Sequence, residues 1–334
     1  MKLSRLIYFF YYIRKLDRNK FRIFLDYVRK ETGKTRLFLI LDAFTSVFIF
    51  NISILEYFQF RFFEKNRTER KNWVGTGYIY EYQLKMNPRG ARIILEDKIR
   101  FLNHFRSFIK RKYSDIQALK SNQETLDTLL SNKSGRLVLK GSRGQVGAEV
   151  EVVSCRDYTP EALIKYMMER KYDLAEEYVL QHTDMMALSP SGLNTVRILT
   201  QLYEGNVDFL GARLRVSVNS PVDNMAAGNL AAFVDMESGV VTGPGVYSDI
   251  TKEDMSVHPV TGKEITGFNV PYWAEAIKLA KEAALYLPDN RSVGWDIAIT
   301  EEGPELIEGN HNWCKLLWQL PAKKGLKKTL EKYL

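Results

Sequence analysis

The sequence predicts an α+β protein whose sheets are largely antiparallel. Two observations carry this. Strand-like apolar runs meet through short turns, at Glu204-Gly205-Asn206 and at Glu301-Glu302-Gly303, so neighbouring strands pair as hairpins. Helical periods fill other stretches, but crossover units are not the rule, which argues against a doubly wound sheet.

The first element is basic and aromatic. Residues 1 to 36 hold eleven Lys or Arg against three Asp or Glu, which accounts for the whole net charge of +8. In "MKLSRLIYFFYYIRKLDRNKFRIFLDYVRK" aromatics interleave with bases. That pattern fits a helix on an anionic membrane surface or a partner, and equally a helix whose aromatics pack on the body while its bases stay solvated. No other basic stripe or recognition motif supports nucleic-acid binding. The next stretch, "LFLILDAFTSVFIFNISIL" at 37–55, is about as long as a membrane span but carries Asp42 and Asn51, both costly in lipid. It predicts a buried helix followed by a short extended piece ending near residue 63. The start lacks a small-residue cleavage site, so no secretory signal is expected.

A polar break at 64–72 follows, and then "LEDKIRFLNHFRSFIKRKYSD" at 95–115, helical because Ile99, Leu102, Phe105 and Phe108 recur three apart. A second helix covers Gln123 to Leu130. From Arg136 the pattern turns to strands: "RLVLK", a glycine-rich connection "GSRGQVG", then "AEVEVV". Thr159 and Pro160 open a helix over 160–170. The strand "EEYVLQH" precedes a hairpin with arms "TVRILTQLY" and "VDFLGARLRVSV", and a helix from Tyr272 to Tyr286 leads into the last hairpin.

Composition narrows the chemistry. At 334 residues and 45% hydrophobic the chain is globular. Cys155 and Cys314 are far apart and lack partner spacing, which implies a reducing compartment and packing roles. His104, His182, His258 and His311 show no ligand spacing, which argues against a zinc enzyme.

The last hairpin, "VGWDIAITEEGPELIEGN", is the most informative stretch. A three-residue loop Glu301-Glu302-Gly303 sets Thr300 opposite Pro304 and therefore Asp296 opposite Glu308. Asn310 falls on the same face, with Gly294 opposite it. Directly opposed like charges destabilise a sheet, so a cation is expected between them. Two carboxylates and an amide suit Mg²⁺ or Mn²⁺ held jointly with nucleotide phosphates; two solvated acids on an exposed face is the alternative. In the glycine-rich connection, Lys140, Gly141, Ser142, Arg143, Gly144 and Gly147 present backbone N–H groups and cations suited to phosphate oxygens. It is not a Walker A loop, and glycine-rich hairpins are also common without ligands.

Taken in order, "DKIRFLNHF", "RLVLKGSRGQVG", "EEYVLQH", "SGLNTVRILT", "LRVSVNSPVDNMAAGN" and "VGWDIAITEEGPELIEGN" resemble the ATP-grasp superfamily, and within it the sugar-transfer-associated group that includes teichuronopeptide-type relatives. The resemblance implies two α+β subdomains gripping ATP behind a helical, basic N-terminal region. It divides the chain into 1–75, a pre-ATP-grasp segment 76–135 carrying Lys98, a small subdomain 136–182 with the glycine-rich lid, and a large subdomain 183–334 with the metal site. It implies that Lys98 and Lys140 contact ATP phosphates, with Gly141, Ser142, Gly144 and Gly147 as the mobile lid and Glu177, Tyr178 and Val179 as the adenine hinge. It implies Asp296, Glu308 and Asn310 as magnesium ligands, and Arg197, Arg213 and Lys140 as the catalytic cations. Asp223 and Asn224 resemble a further motif. The chain departs from the group at Gly228-Asn229, where paired glycines are usual; this bears on a tight turn there and not on the metal ligands.

The implied activity is ATP-dependent activation of a carboxylate and its capture by an amine, on a sugar acid of a capsule-type glycan. The implied place is the cytoplasm, at the inner membrane face or against a glycosyltransferase partner. Two alternatives stand beside it: a kinase acting on a glycan hydroxyl, and a degenerate ATP-binding scaffold.

Overall fold

The computed structural model describes residues 3–143 and 150–334. It opens with four helices, Leu3–Arg14, Arg18–Thr32, Arg36–Phe50 and Ile54–Gln59. Asp17, Thr35 and Ser53 cap the last three through side-chain oxygens, and Gly33 closes the second in the left-handed conformation at φ 70°. The extended piece expected after the third helix is mostly helical, because Ser53 and Glu56 form a reciprocal capping box. Phe24, Val28, Leu39, Ala43, Tyr57 and Phe58 form the core of this unit. Asp42 is paired: Arg70 grips it with two bonds of 2.7 and 2.8 Å, and the Tyr57 hydroxyl donates to it. Among the described residues no helix is long and apolar enough to cross a membrane.

A four-stranded antiparallel sheet comes next, with strands β1 (Tyr113–Asp115), β2 (Arg136–Lys140), β3 (Val150–Ser154) and β4 (Leu174–Glu177) in the order β1-β4-β2-β3. Alternation along β2 sends Leu137 and Leu139 to a core shared with the helices Ile116–Ser121, Gln123–Leu130 and Pro160–Arg170. It sends Val138 and Lys140 to the other face, which lines a cleft. The expected boundary at residue 136 therefore falls inside this layer, since β1 and two of its covering helices precede it. The single helix expected over 95–115 is in fact a helix Lys98–His104 capped by Asp97, a 3₁₀ turn Arg106–Phe108 and strand β1. The strand expected over 176–182 stops at Glu177, and beyond it only Gln181 makes a bridge, to Thr300.

The larger antiparallel sheet has strands β5 (Thr195–Tyr203), β6 (Asn206–Val216), β7 (Leu230–Val234), β8 (Ser292–Thr300) and β9 (Gly303–Asn310) in the order β7-β6-β5-β8-β9. Val196, Ile198, Trp295 and Ile297 turn one way and pack with the alanine-rich face of the helix Trp273–Tyr286. Each fully buried side chain of this size contributes about 1.5–3 kcal/mol. Arg197, Arg215 and Asp296 occupy the alternate positions and turn to the cleft.

The last hairpin reaches its expected pairing by another route. Thr300 lies opposite Gly303, not Pro304, so the loop is Glu301-Glu302, and Gly303 takes φ 99°. A bulge then skips Ile307, between the pairs Ile297–Leu306 and Asp296–Glu308. Asp296 faces Glu308 and Gly294 faces Asn310, as the sequence predicts.

Candidate active site

The two sheets face each other across a cleft of about 480 Å³, lined by Lys98, Lys140 and Gly141 on one side and Arg197, Arg215, Asp296, Glu308 and Asn310 on the other. Arg111 fixes the layers together. Buried, it donates from Nε to Glu176 Oε2 at 2.5 Å and from Nη1 to Glu305 Oε1 at 2.8 Å, joining β4 to β9. Lys140 Nζ lies 2.5 Å from the other Glu176 oxygen. Burial opposes the Glu176 charge, but Arg111 and Lys140 outweigh it and hold its carboxyl at about 2.

Lys98 enters from the helix Lys98–His104. Its ammonium donates to Gly141 O at 3.1 Å and its backbone N–H to Ser142 O at 2.9 Å. Burial, and then the nearby Lys140 ammonium, lower its pKa. Two cations gathered at one wall favour an anion there. Ser142 does not turn to the cleft: its N–H and hydroxyl both donate to Asp173, at 2.6 Å each, so it braces the start of the glycine-rich connection. Gly144 and Gly147 lie outside the described residues.

At the opposite end of β4, Glu177, Tyr178 and Val179 border the cleft. The Tyr178 N–H donates to Arg136 O and its ring stacks under the Arg136 guanidinium at 3.8 Å. Among the described residues no protein acceptor meets the N–H of Val179 or Leu180. Val138, Val150, Val152 and Ile307 supply an apolar lining beside them. This is the combination a flat heteroaromatic ring needs, apolar faces and unsatisfied edge groups.

The acidic set sits on β8 and β9. Arg197 holds Asp296 with two bonds of 2.5 Å, and Arg215 adds a third of 2.6 Å while its other Nη reaches Asp223 at 2.7 Å. Burial alone would raise the Asp296 carboxyl, but the two guanidinium groups hold it below the usual carboxylate range. Burial also works against the Arg197 charge, and Asp296 more than offsets it. Glu308 goes the other way: its burial and the Asp296 carboxylate opposite push its carboxyl up. Asn310 Nδ2 donates to Glu308 at 3.1 Å. The arginines thus supply the positive charge that the opposed acids require. Asp296, Glu308 and Asn310 lie together on this wall of the cleft, and their side-chain oxygens are of the hard type that Mg²⁺ or Mn²⁺ takes, though both Asp296 oxygens are held by the arginines.

Arg213 belongs elsewhere. It shares a sheet face with Arg197, its direct partner across β5 and β6, but the helix Lys315–Gln319 covers it. Its Nε donates to Trp318 O at 3.0 Å and its guanidinium lies over the Phe233 ring at 4.6 Å. Burial pushes its pKa down to about 9. Arg215, two residues on and therefore on the same face, is the arginine that reaches the cleft, and the period of two along β6 was the signal for it. Glu176, Arg111 and His311 also border the cleft without having been singled out. Asp223 is buried and accepts from the N–H and hydroxyl of Thr195, at 2.9 and 2.6 Å. The turn at Gly228-Asn229 stays tight: Gly228 takes φ 91°, and the buried Asn229 side chain ties Val218, Val222 and Asn224 together.

A family model described as sugar-transfer associated ATP-grasp matches residues 79–333. None of the curated proteins matches the sequence significantly. Among solved structures the chain is similar to D-alanyl-alanine synthetase A from Vibrio cholerae, with 10% identity over 73% of this chain and 61% of that one, at a TM-score of 0.42. It is similar to an L-amino acid ligase from Bacillus licheniformis, with 13% identity over 73% of this chain and 44% of that one, at a TM-score of 0.38. It is also similar to the ATP-grasp ligase PsnB, with 11% identity over 74% of this chain and 59% of that one, at a TM-score of 0.43. The match spans less than two thirds of each of these three chains.

Proposed function

Since the chain belongs to the sugar-transfer associated ATP-grasp family, we propose that it is an ATP- and Mg²⁺-dependent carboxylate–amine ligase that forms an amide through an acyl phosphate. The observation that carries this is the convergence of Lys98 and Lys140 with Asp296, Glu308 and Asn310 in one cleft.

In this reading the adenine sits among Val138, Val150, Val152 and Ile307 and bonds the backbone edge at Glu177 to Val179. Lys98 and Lys140 hold the phosphates, Lys140 turning from Glu176 while Arg111 keeps that carboxylate paired. Asp296, Glu308 and Asn310 would hold Mg²⁺ or Mn²⁺, which when bound would supply positive charge to the phosphate oxygens. Arg197 and Arg215 keep Asp296 ionised and oriented. A substrate carboxylate oxygen attacks the γ-phosphorus, the bond to the β-bridging oxygen breaks, and ADP leaves. The amine nitrogen then attacks the acyl carbon, loses a proton and displaces phosphate. No enzyme nucleophile is required, so positioning and electrostatics carry the rate.

The carboxylate belongs to a uronic or other sugar acid of a surface polysaccharide such as a capsule, the amine to an amino acid or amine. The work takes place in the cytoplasm, at the inner face of a membrane. The test is a coupled ADP assay across sugar acids and amines, with products read by mass. An amide formed with ADP and phosphate is the expected result. A phosphorylated glycan formed without any amine would replace the ligase by a kinase.

A further inference from the structure

We infer that the outer face of the helices Leu3–Arg14 and Arg36–Phe50 is a docking surface for an anionic lipid bilayer. The inference rests on the membrane part of the reading above, for which it names the surface, and not on the proposed chemistry.

The helix Arg36–Phe50 is apolar on both sides. Leu39, Ala43 and Val47 enter the core of the N-terminal unit. Leu37, Leu41 and Ile49, spaced at multiples of four residues, lie on the opposite side and are 68%, 58% and 42% exposed among the described residues, with Arg5 of the first helix reaching the Ile49 carbonyl. The helix Leu3–Arg14 packs beside the helix Arg36–Phe50 and carries its own exposed apolar side. Its Phe9 packs on Phe44 and Phe48, with ring centroids 5.7 and 4.6 Å apart, while Phe10 on its outer side is 67% exposed. Apolar exposure of this extent on a folded unit marks an interaction site.

Charge decides what it meets. Where the helix Arg18–Thr32 turns into the helix Arg36–Phe50, Arg29, Lys30, Lys34 and Arg36 line a shallow depression around Gly33. Lys34 Nζ lies 5.4 Å from the Phe38 ring centroid, so the basic cluster abuts the start of the apolar stripe. Two acids stand close: Asp26 pairs with Arg36 at 2.5 Å, and Glu31 pairs with Arg61 at 2.7 Å. Arg29 and Lys30 are exposed and keep the depression basic, while the Lys34 ammonium donates to Phe63 O. Bases beside an exposed apolar face match a lipid interface, with headgroup phosphates on the cations and acyl chains on Leu37, Leu41 and Phe10. A helix of 15 residues is too short to span, so the chain lies on the surface.

The test is co-sedimentation of the full chain with phosphatidylcholine vesicles, with and without phosphatidylglycerol, at low and high salt. The wild type should bind only the anionic vesicles and release with salt. Arg29→Ala with Lys30→Ala should weaken binding about 30-fold, and Leu37→Asp with Leu41→Asp should abolish it, with unchanged melting temperatures because all four side chains are exposed. Wild type that ignores anionic vesicles overturns the inference together with the membrane reading. Wild type that binds, with both variants equal to it, overturns this surface and leaves the membrane reading standing. Self-association that Leu41→Asp abolishes, without vesicle binding, assigns the face to a second copy of the chain instead.

Discussion

Arg213 and Arg215 stand two residues apart on β6 and face the same way, yet one is sealed beneath Trp318 and the other grips Asp296. Their substitutions should therefore separate. Arg213→Ala leaves the Trp318 carbonyl without its donor and should cost about 1–3 kcal/mol in urea denaturation, with ATP affinity unchanged. Arg215→Ala should leave Asp296 with one guanidinium fewer and lower Mg²⁺-dependent turnover; equal turnover in the two variants would count against Arg215 in the site. Asp296→Asn and Glu308→Gln, in folded protein, should each reduce Mg²⁺-dependent ADP formation about 100-fold or more. Full activity in either would remove the metal assignment. The hairpin pattern anticipated that Asp296, Glu308 and Asn310 share one face, while Lys98 and Lys140 came forward as a phosphate-binding pair only through the family resemblance; all five line one cleft. Arg213 misled because periodicity gives the face of a strand and not what covers it.

At the level of elements, the last hairpin shows how a register can be anticipated while its cause is not. The count through the turn was off by one, and the bulge at Ile307 returned it. Nothing in "PELIEGN" announces a bulge, because Ile307 is as good a strand residue as its neighbours. Gly294 gives the hairpin a sharper test. A Cβ there would approach Trp313 Cβ at 2.9 Å and Arg197 Cδ at 3.3 Å. Gly294→Ala should cost about 1–3 kcal/mol and displace Arg197 from Asp296. An unaltered melting temperature would show that Trp313 yields without cost. The helix expected across 95–115 failed for a related reason. Its period of three persists to Phe108, but Arg111 is drawn to Glu176 and Glu305, partners remote in sequence, and the chain becomes β1.

For the molecule as a whole, the two layers meet on Arg111, with Glu176 on β4 and Glu305 on β9. Glu176 titrates at about 2 against an ordinary 4.5, so between those values the folded chain binds fewer protons than the unfolded one. Its contribution is complete above pH 4.5 and disappears as pH falls toward 2. Urea midpoints measured across that window should fall with pH in the wild type and fall less in Glu176→Gln; parallel curves would show that the joint contributes nothing. The fold class was legible because turn chemistry and strand alternation are local. The N-terminal unit was less so: the same aromatic and basic pattern serves a packed helix and a surface-bound one, and here Phe24 and Val28 are buried while Phe10 and Leu41 are not.

The central claim is that the cleft holds a triphosphate between its lysines and its acids. Calorimetric titration of a non-hydrolysable ATP analogue with Mg²⁺ tests it most directly. The wild type should show one saturable site, weakened about tenfold or more in Lys140→Ala and unaffected in Arg213→Ala. Equal affinity in Lys140→Ala and wild type would contradict it.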